Sequence, residues 1–208
     1  MTGGAGFVGS RVAAGLAQRN RAAEVIAFDN LSGSGSELNL ADLSASGVTF
    51  VHGDVRDKQA LTALDRVDAL VECTSEPASG DGAPETALMG AYHALEIARR
   101  DNAQLIYLST SSVYPTRHLL DIEVEETKTR FEISPAQELP GVSPLGVSEQ
   151  FPLWGVRRGM GATKLAAEHL IEDYMDGYGL RCVINRCGAI AGPGIGNGVF
   201  ARWMQAHH

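Results

Sequence analysis

The feature that most constrains this chain is a glycine-rich segment at its start. Residues 2–9 read TGGAGFVG, which places glycines at positions 3, 6 and 9. In a turn that leads into a helix, Gly3 permits a tight bend and Gly6 lets backbone amides approach a pyrophosphate. Gly9 then lets the helix pack closely on a sheet. A glycine pattern alone is weak, so the residues around it decide how it is interpreted.

A helix is predicted directly after these glycines. Val8, Val12 and Leu16 recur every fourth residue and form one apolar stripe. The first amides of such a helix, among them those of Phe7 and Val8, carry partial positive charge. They would therefore face the phosphates of a bound dinucleotide. We predict dinucleotide binding here, and a glycine-rich turn without a ligand is the alternative.

Polar residues follow the next two predicted strands. Asp29 lies twenty residues beyond the last glycine of the motif and is followed by Asn30. A carboxylate at that point can accept hydrogen bonds from an adenosine ribose and repels a 2′-phosphate, so NAD is favoured over NADP. Asp54 and Val55 follow the second strand, where Asp54 could reach the adenine amino group. Capping of a helix that starts near Arg56 is an equally open role for Asp54.

Apolar runs alternate with helical patterns along the chain, which is typical of a parallel α/β sheet. The runs predict short strands covered on both faces, over 24–28, 48–52, 68–73, 104–110 and 181–187. Apolar residues at helical spacing predict further helices after Asp57, with Leu61, Leu64 and Val67 on one face, and around 88–98 and along 162–170. Residues 116–157 break this pattern and predict a long loop or an excursion from the domain, of the kind that is usually functional.

Composition narrows the class of protein. The chain has 17 Lys+Arg against 25 Asp+Glu, a net charge of −8, which argues against a nucleic-acid partner and against anionic membranes. No apolar run is long enough to span a membrane and no leader opens the chain, so a cytoplasmic location is expected. Cys73, Cys182 and Cys187 are predicted to be buried thiols. No metal site is expected.

Five segments carry a family resemblance: residues 2–9, HGDVRD at 52–57, LSTSSVY at 108–114, GATKLAAE at 161–168, and INRCG at 184–188 leading to AGP at 191–193. With these motifs the chain resembles, over its whole length, the extended short-chain dehydrogenase/reductases that act on nucleotide sugars. FPL at 151–153 and residues 185–188 make it most similar to the CDP-paratose/CDP-tyvelose 2-epimerase group. The resemblance implies a Rossmann-like doubly wound sheet, NAD, and a nucleotide-sugar substrate, with a CDP-sugar favoured. The implied reaction is epimerisation by transient oxidation and re-reduction of a sugar carbon.

The resemblance also implies roles for two side chains. Thr110 would share the proton of the substrate hydroxyl, and Lys164 would hold the nicotinamide ribose. The alternatives are a strand-end hydroxyl bonded to backbone for Thr110 and a solvated helix face for Lys164. The family's 4,6-dehydratases have acidic residues where this chain has Ser111 and Ser112, so dehydration is disfavoured.

Met160 stands where the resemblance places the catalytic tyrosine. A thioether cannot transfer a proton, and loss of a general base typically costs ~10²–10⁴ in rate. The other interpretation of Met160 is an apolar gap-filler on a helix, and Tyr114 is a less favoured substitute base. A catalytically silent NAD-binding module and a nucleotide-responsive interaction protein are therefore alternatives to an active epimerase.

Both ends also depart from the family pattern. Only Met1 precedes Thr2 where the family has a hydrophobic first strand, and family members continue for a further hundred-odd residues. We therefore expect an N-terminally truncated NAD-binding domain over 1–190 and the start of an incomplete substrate-binding region over 191–208. Without a central strand, we expect either unpaired backbone groups or neighbouring strands forced together, and reduced stability. The helix faces near 88–98 and 165–170 would suit a homodimer or the core.

Overall fold

The computed structural model describes residues 1–20, 22–75, 83–157, 159–192 and 206. Its helices are α1 (Phe7–Arg19), α2 (Leu40–Ala45), α3 (Lys58–Thr62), α4 (Ala83–Asp101), α5 (Thr116–Leu120) and α6 (Met160–Tyr178). Its strands are β1 (Ile26–Asp29), β2 (Thr49–His52), β3 (Ala69–Glu72), β4 (Gln104–Thr110), β5 (Val124–Glu126), β6 (Phe131–Ile133), β7 (Val142–Ser143), β8 (Gly146–Val147) and β9 (Cys182–Cys187). Short 3₁₀ turns lie at Ser36–Asn39 and Ser111–Val113.

The main sheet is parallel, as the alternation of strands and helices predicts. Strand β1 pairs with β2, and β4 lies between β3 and β9. Of the predicted strands, 104–110 matches β4 at both ends, and three others are one or two residues shorter. The predicted strand 24–28 is found at Ile26–Asp29. The fold is therefore the Rossmann-like α/β arrangement that the sequence predicts.

Residues 1–4 occupy the place of the central strand. Thr2 forms parallel bridges to Phe28 of β1 and to Glu72 of β3. Its amide donates to the Val71 carbonyl at 3.1 Å, and its carbonyl accepts from the Cys73 amide at 3.1 Å. On the other side, the amide of Phe28 donates to the Met1 carbonyl at 2.8 Å. The expectation of unpaired backbone groups at the missing strand is therefore wrong here, because this short segment joins the two parts of the sheet.

Helices cover both faces of the sheet around β1. Ala27 contributes to a core with α1 and α2, whereas the next residue, Phe28, contributes to the larger core beneath α4 and α6. Because successive side chains of a strand point to opposite faces, this alternation shows that β1 is packed on both sides. The region around β4 and β9 differs. Alternate residues of β4 are only half-buried and Val183 is 42% exposed, so the prediction of strands covered on both faces is wrong there.

Other predictions need correction in detail. The stretch 116–157 contains α5 and two hairpins, β5–β6 and β7–β8, and is not one irregular loop. Helix α3 ends at Thr62, before the apolar residues Leu64 and Val67 that the spacing places on it. The three cysteines are free and half-buried, so they are less buried than predicted. Within the described residues, no helix combines the length and apolar character needed to cross a bilayer.

Candidate functional site

The glycine segment forms a tight loop between the sheet and α1. Gly3 has φ +62°, a conformation that side chains rarely adopt, and a Cβ at this residue would lie 2.8 Å from the Cys73 carbonyl carbon. A Cβ on Gly6 would lie 3.2 Å from the carbonyl oxygen of Gly3, and one on Gly9 would overlap the same oxygen. Gly6 precedes α1 without any side-chain cap, so the helix's first amides have no capping side chain as partner beside this loop.

Asp29 ties the end of β1 to this loop. Its Oδ2 accepts a hydrogen bond from the Ala5 amide at 3.0 Å, and its Oδ1 accepts one from the Leu31 amide at 2.8 Å. The carboxylate is therefore held in one orientation beside the glycine segment. Asn30 follows and donates from Nδ2 to Oδ2 of Asp54 at 3.1 Å. The structure thus brings together the three polar residues that the sequence predicts near an adenosine.

Asp54 is also held by Arg56. The guanidinium donates to both carboxylate oxygens, from Nε at 3.0 Å and from Nη2 at 2.7 Å. Hydrogen bonding from the Arg56 side chain holds the pKa of Asp54 well below its usual range. Oδ1 of Asp54 also accepts from the Arg56 amide at 2.8 Å, but the cap of α3 is Asp57, which accepts from the amides of Gln59 and Ala60. Asp54 therefore holds the turn at Arg56 and does not cap α3, which begins later than predicted.

Val55 is buried under α4. A Cβ on Gly90 would lie 3.1 Å from Cγ2 of Val55, and the Val55 carbonyl oxygen is 2.7 Å from Nδ1 of buried His93. Val55 therefore fixes the turn that presents Asp54.

Thr110 ends β4 and begins a 3₁₀ turn. Its hydroxyl accepts a hydrogen bond from the amide of Ser112 at 3.1 Å, so the side chain does bond to backbone, as the alternative interpretation has it. The hydroxyl proton stays available for donation. The turn packs closely against the start of α6, because a Cβ on Gly161 would overlap the Ser112 carbonyl oxygen.

Met160 begins α6 at the same edge of the sheet. It is 38% exposed, and its Sδ accepts a hydrogen bond from the Ser75 hydroxyl at 3.6 Å. Because the side chain is this exposed, it fills no gap in the core, and the gap-filler interpretation is wrong.

Lys164 lies one turn further along α6 and is only 3% exposed. Its Nζ is 3.0 Å from the Thr74 carbonyl oxygen and 3.3 Å from Oε2 of Glu72. A solvated helix face is therefore the wrong interpretation of Lys164. Burial raises the pKa of Glu72, and the charge of Lys164 opposes that rise.

Sequence reasoning missed the buried acids beneath this edge. Glu72 stands within an apolar run and Glu168 lies one helical turn after Lys164, and both are fully buried. Glu168 accepts hydrogen bonds from the Ser109 hydroxyl and from Nη2 of Arg186, the latter at 2.7 Å. A charged residue inside a predicted buried strand was the available signal, because such a group has to be paired.

Tyr114 lies beside Arg186, the partner of Glu168. The guanidinium carbon of Arg186 is 5.4 Å from the Tyr114 ring centroid, and the Tyr114 hydroxyl contacts the Ser148 carbonyl at 3.4 Å. Tyr114 follows the 3₁₀ turn, its ring meets that of Phe151 in a T-shaped contact, and its hydroxyl also accepts from Nη1 of Arg186 at 3.5 Å. Its hydroxyl therefore has partners of its own.

The residues present fit a dinucleotide. The glycines let α1 approach the loop closely, the first amides of α1 have no side-chain cap, and a buried hydroxyl, Oγ1 of Thr74, has no partner in the described part of the chain. The described range ends at 192 apart from residue 206, so most of the region predicted as 191–208 lies outside it.

Comparison with known proteins gives one family. The family model described as the NAD dependent epimerase/dehydratase family matches residues 1–208. A CDP-paratose 2-epimerase of Salmonella typhi is 33% identical over 206 residues, which cover 92% of this chain and 57% of that protein. A dTDP-glucose 4,6-dehydratase of Mycolicibacterium smegmatis is 28% identical over 200 residues, which cover 93% of this chain and 53% of that protein.

A solved structure shares the fold. The UDP-glucose 4-epimerase of Thermus thermophilus, in complex with NAD, has a TM-score of 0.66 and 26% identity, and the match covers 96% of this chain and 58% of that one. The chain thus spans about half the length of the relatives that it matches.

Proposed function

Because the chain belongs to the NAD-dependent epimerase/dehydratase family, we propose that it binds NAD at the carboxyl edge of its parallel sheet. Residues 1–190 form the NAD-binding domain in this proposal, and 191–208 begin a substrate-binding region. The activity proposed for the whole protein is epimerisation of a nucleotide sugar, with a CDP-sugar oxidised and re-reduced at carbon 2.

The observation that carries NAD binding is the glycine loop. A Cβ at Gly9 would overlap the Gly3 carbonyl oxygen, so α1 approaches the loop as closely as glycine allows. This approach brings the helix's first amides next to the place where a pyrophosphate would bind. Asp29, fixed by the Ala5 amide at 3.0 Å, supports NAD over NADP because its carboxylate would repel a 2′-phosphate.

Two residues support an epimerase over a dehydratase. Ser111 and Ser112 are exposed in the turn after β4, and neither offers a carboxyl group for elimination of water. Both kinds of enzyme occur among the relatives, and the one at 33% identity is an epimerase. That relative is the support for a CDP-sugar.

Bound NAD would supply the acceptor and donor of hydride. The chain's own residues would handle binding and protons. Thr110 can donate its hydroxyl proton to a substrate oxygen while its oxygen keeps the Ser112 amide bond. Lys164 supplies positive charge close to the same edge of the sheet. Met160 can neither give nor take a proton, so the base has to come from elsewhere or is lacking.

The first experiment is to denature the purified chain and assay the supernatant for NAD and NADH. We expect near-stoichiometric release, or, for protein purified without cofactor, a rise in melting temperature on addition of NAD. If no cofactor is released and added NAD leaves the melting temperature unchanged, the proposed binding is wrong.

A catalytically silent NAD-binding module is the second candidate, and Met160 favours it. The test is Met160→Tyr, with Met160→Phe as a matched control that adds the ring without the hydroxyl. Turnover of a CDP-sugar by the tyrosine variant alone supports a site that lacks only its base, with a gain of about 10²-fold or more. No turnover in either variant supports the silent module.

A further inference from the structure

The ammonium group of Lys164 is fully engaged inside the protein. Its Nζ lies 3.0 Å from the Thr74 carbonyl oxygen, 3.3 Å from Oε2 of Glu72, and 4.5 Å from the centroid of the Tyr107 ring. An ammonium has three N–H groups, and these three neighbours can take all of them. A fourth partner, such as a ribose hydroxyl, therefore has to displace one of the three.

Glu72 is the partner that holds most strongly. It is fully buried, and in such surroundings a carboxylate attracts an ammonium more than a neutral carbonyl or a ring face does. Its other oxygen, Oε1, accepts a hydrogen bond from the Thr74 amide at 2.9 Å. The carboxylate thus stays at the end of β3, next to the Thr2 bridge, and cannot easily follow Lys164 if the lysine moves.

Glu168 is a buried acid close to the same edge that does not contact Lys164 in this way. It is as buried as Glu72 and lies on the same helix as the lysine. Its carboxylate is bound by Arg186 and Ser109. The chain therefore contains a second buried acid that is neutralised without using Lys164.

We propose that Glu72 withholds Lys164 from the cofactor: NAD has to compete with the Glu72 carboxylate for the lysine, and Glu72 thereby lowers NAD affinity. This inference rests on the proposed NAD binding and adds a device that regulates it. Glu72 acts through Lys164 and is a positioning residue. If only a fraction of molecules has Lys164 released, the apparent dissociation constant exceeds the intrinsic one by the inverse of that fraction.

The test is calorimetric titration of NAD into the full 208-residue chain, freed of cofactor, and into its Glu72→Gln variant. The glutamine side chain keeps an oxygen that can accept from the backbone N–H of Thr74, but it carries no negative charge. We expect Glu72→Gln to bind NAD about tenfold more tightly. The matched control is Glu168→Gln, which should leave the NAD dissociation constant within about twofold. In a Lys164→Met background, Glu72→Gln should no longer tighten binding.

Two further measurements separate this role from a structural one. ADP has no ribose on the nicotinamide side, so Glu72→Gln should leave ADP affinity unchanged. In the ligand-free protein, peptide mapping after treatment with trinitrobenzenesulfonate should show more labelling of Lys164 in Glu72→Gln than in the wild type. If Glu72→Gln does not fold, Glu72→Asp, which draws the carboxylate back from Nζ, should give a smaller gain in the same direction.

Equal or weaker NAD binding by a folded Glu72→Gln or Glu72→Asp variant overturns the inference while leaving the proposed function intact. An equal gain for ADP also overturns it. If neither the wild type nor any variant binds NAD, both the proposed function and this inference are wrong. Binding by the variant alone supports the inference, because it shows the full effect of Glu72.

Discussion

At the scale of single residues, the site depends on glycines, which have no side chain, as much as on its polar side chains. Glycine at position 9 matters because no atom stands between α1 and the Gly3 carbonyl oxygen. A Cβ on Gly15, further along the same helix, would meet nothing within 4 Å. The two glycines of α1 thus have different reasons to be glycine, although the sequence pattern does not distinguish them.

We expect Gly9→Ala to destabilise the fold by about 1–3 kcal/mol, because the added methyl group has to displace backbone. It should also abolish the rise in melting temperature with NAD. The control, Gly15→Ala, should stabilise the fold by up to about 1 kcal/mol through helix propensity. Urea denaturation of both variants checks this. Equal effects of the two substitutions would show that the close approach at Gly9 does not matter.

Cys73 should make stability depend on pH above neutrality. Burial, with the nearby charge of Glu72, raises the pKa of its thiol from 9.0 to about 12. Because the thiol of the unfolded chain ionises first, the neutral buried thiol contributes stability that is fully present below pH 9. This contribution is lost as the pH rises from 9 toward 12. Between about pH 8 and 10.5 the wild type should therefore lose about 1–2 kcal/mol more than Cys73→Ala. Parallel urea curves for both proteins at each pH provide the measurement, and identical slopes with pH would contradict it.

At the scale of elements, the segment 1–4 takes the place of a strand with very few residues. Thr2 is nearly fully buried, and its backbone bonds to Val71 and Cys73 on one side, with those of Met1 and Gly4 to Phe28 on the other, hold the halves of the sheet in register. Its hydroxyl, by contrast, has no hydrogen-bond partner among the described residues. The backbone of Thr2 therefore stabilises the sheet, whereas its side-chain oxygen is buried at a cost.

These two properties predict opposite effects at one position. Thr2→Val removes the unpaired hydroxyl and should stabilise the fold by about 1 kcal/mol. Thr2→Pro removes the amide that donates to Val71 and should destabilise it by at least about 1–3 kcal/mol. Thermal melting of both variants distinguishes the contributions. A stable proline variant would mean that the halves of the sheet do not need this bridge.

The cap of α3 can be tested in the same way. Asp57 accepts hydrogen bonds from two amides of the first turn, at 2.8 and 3.2 Å. Asp57→Ala should cost about 1 kcal/mol. Asp65→Ala removes the same charge from an exposed residue after the helix and should change stability by less than about 0.5 kcal/mol. Urea denaturation measures both, and equal losses would contradict the capping role.

At this scale the sequence predicts elements well where local pattern decides. Strand β4 matches its predicted limits because its apolar run is long and is followed by a polar turn. Helix α3 is shorter than predicted, since Leu64 and Val67 pack against the core from outside the helix and mimic helical spacing. The pairing of Lys164 with Glu72 joins residues 92 positions apart, and no local pattern reveals such a contact.

At the scale of the whole molecule, ion pairs should set the response to acid. Hydrogen bonds from Arg100 lower the pKa of Asp101, and those from Arg99 lower the pKa of Glu96. A lowered pKa contributes stability that is present above the group's ordinary value and is lost as pH falls through the folded value. We expect the urea midpoint to fall steadily below about pH 4. Asp101→Asn should be less stable than the wild type at neutral pH, and its free energy of unfolding should fall less on acidification. Equal falls in the two proteins would show that Asp101 does not contribute to the response to acid.

The bridge at Thr2 also has a consequence for the order in which the protein is made. Val71, which accepts the Thr2 amide, is synthesised 69 residues after Thr2. At about 5–20 residues per second, Thr2 therefore waits roughly 3–14 s before β3 exists to pair with it. During that time the glycine loop cannot take its final shape, so the cofactor cleft forms well after its own glycine segment has been synthesised.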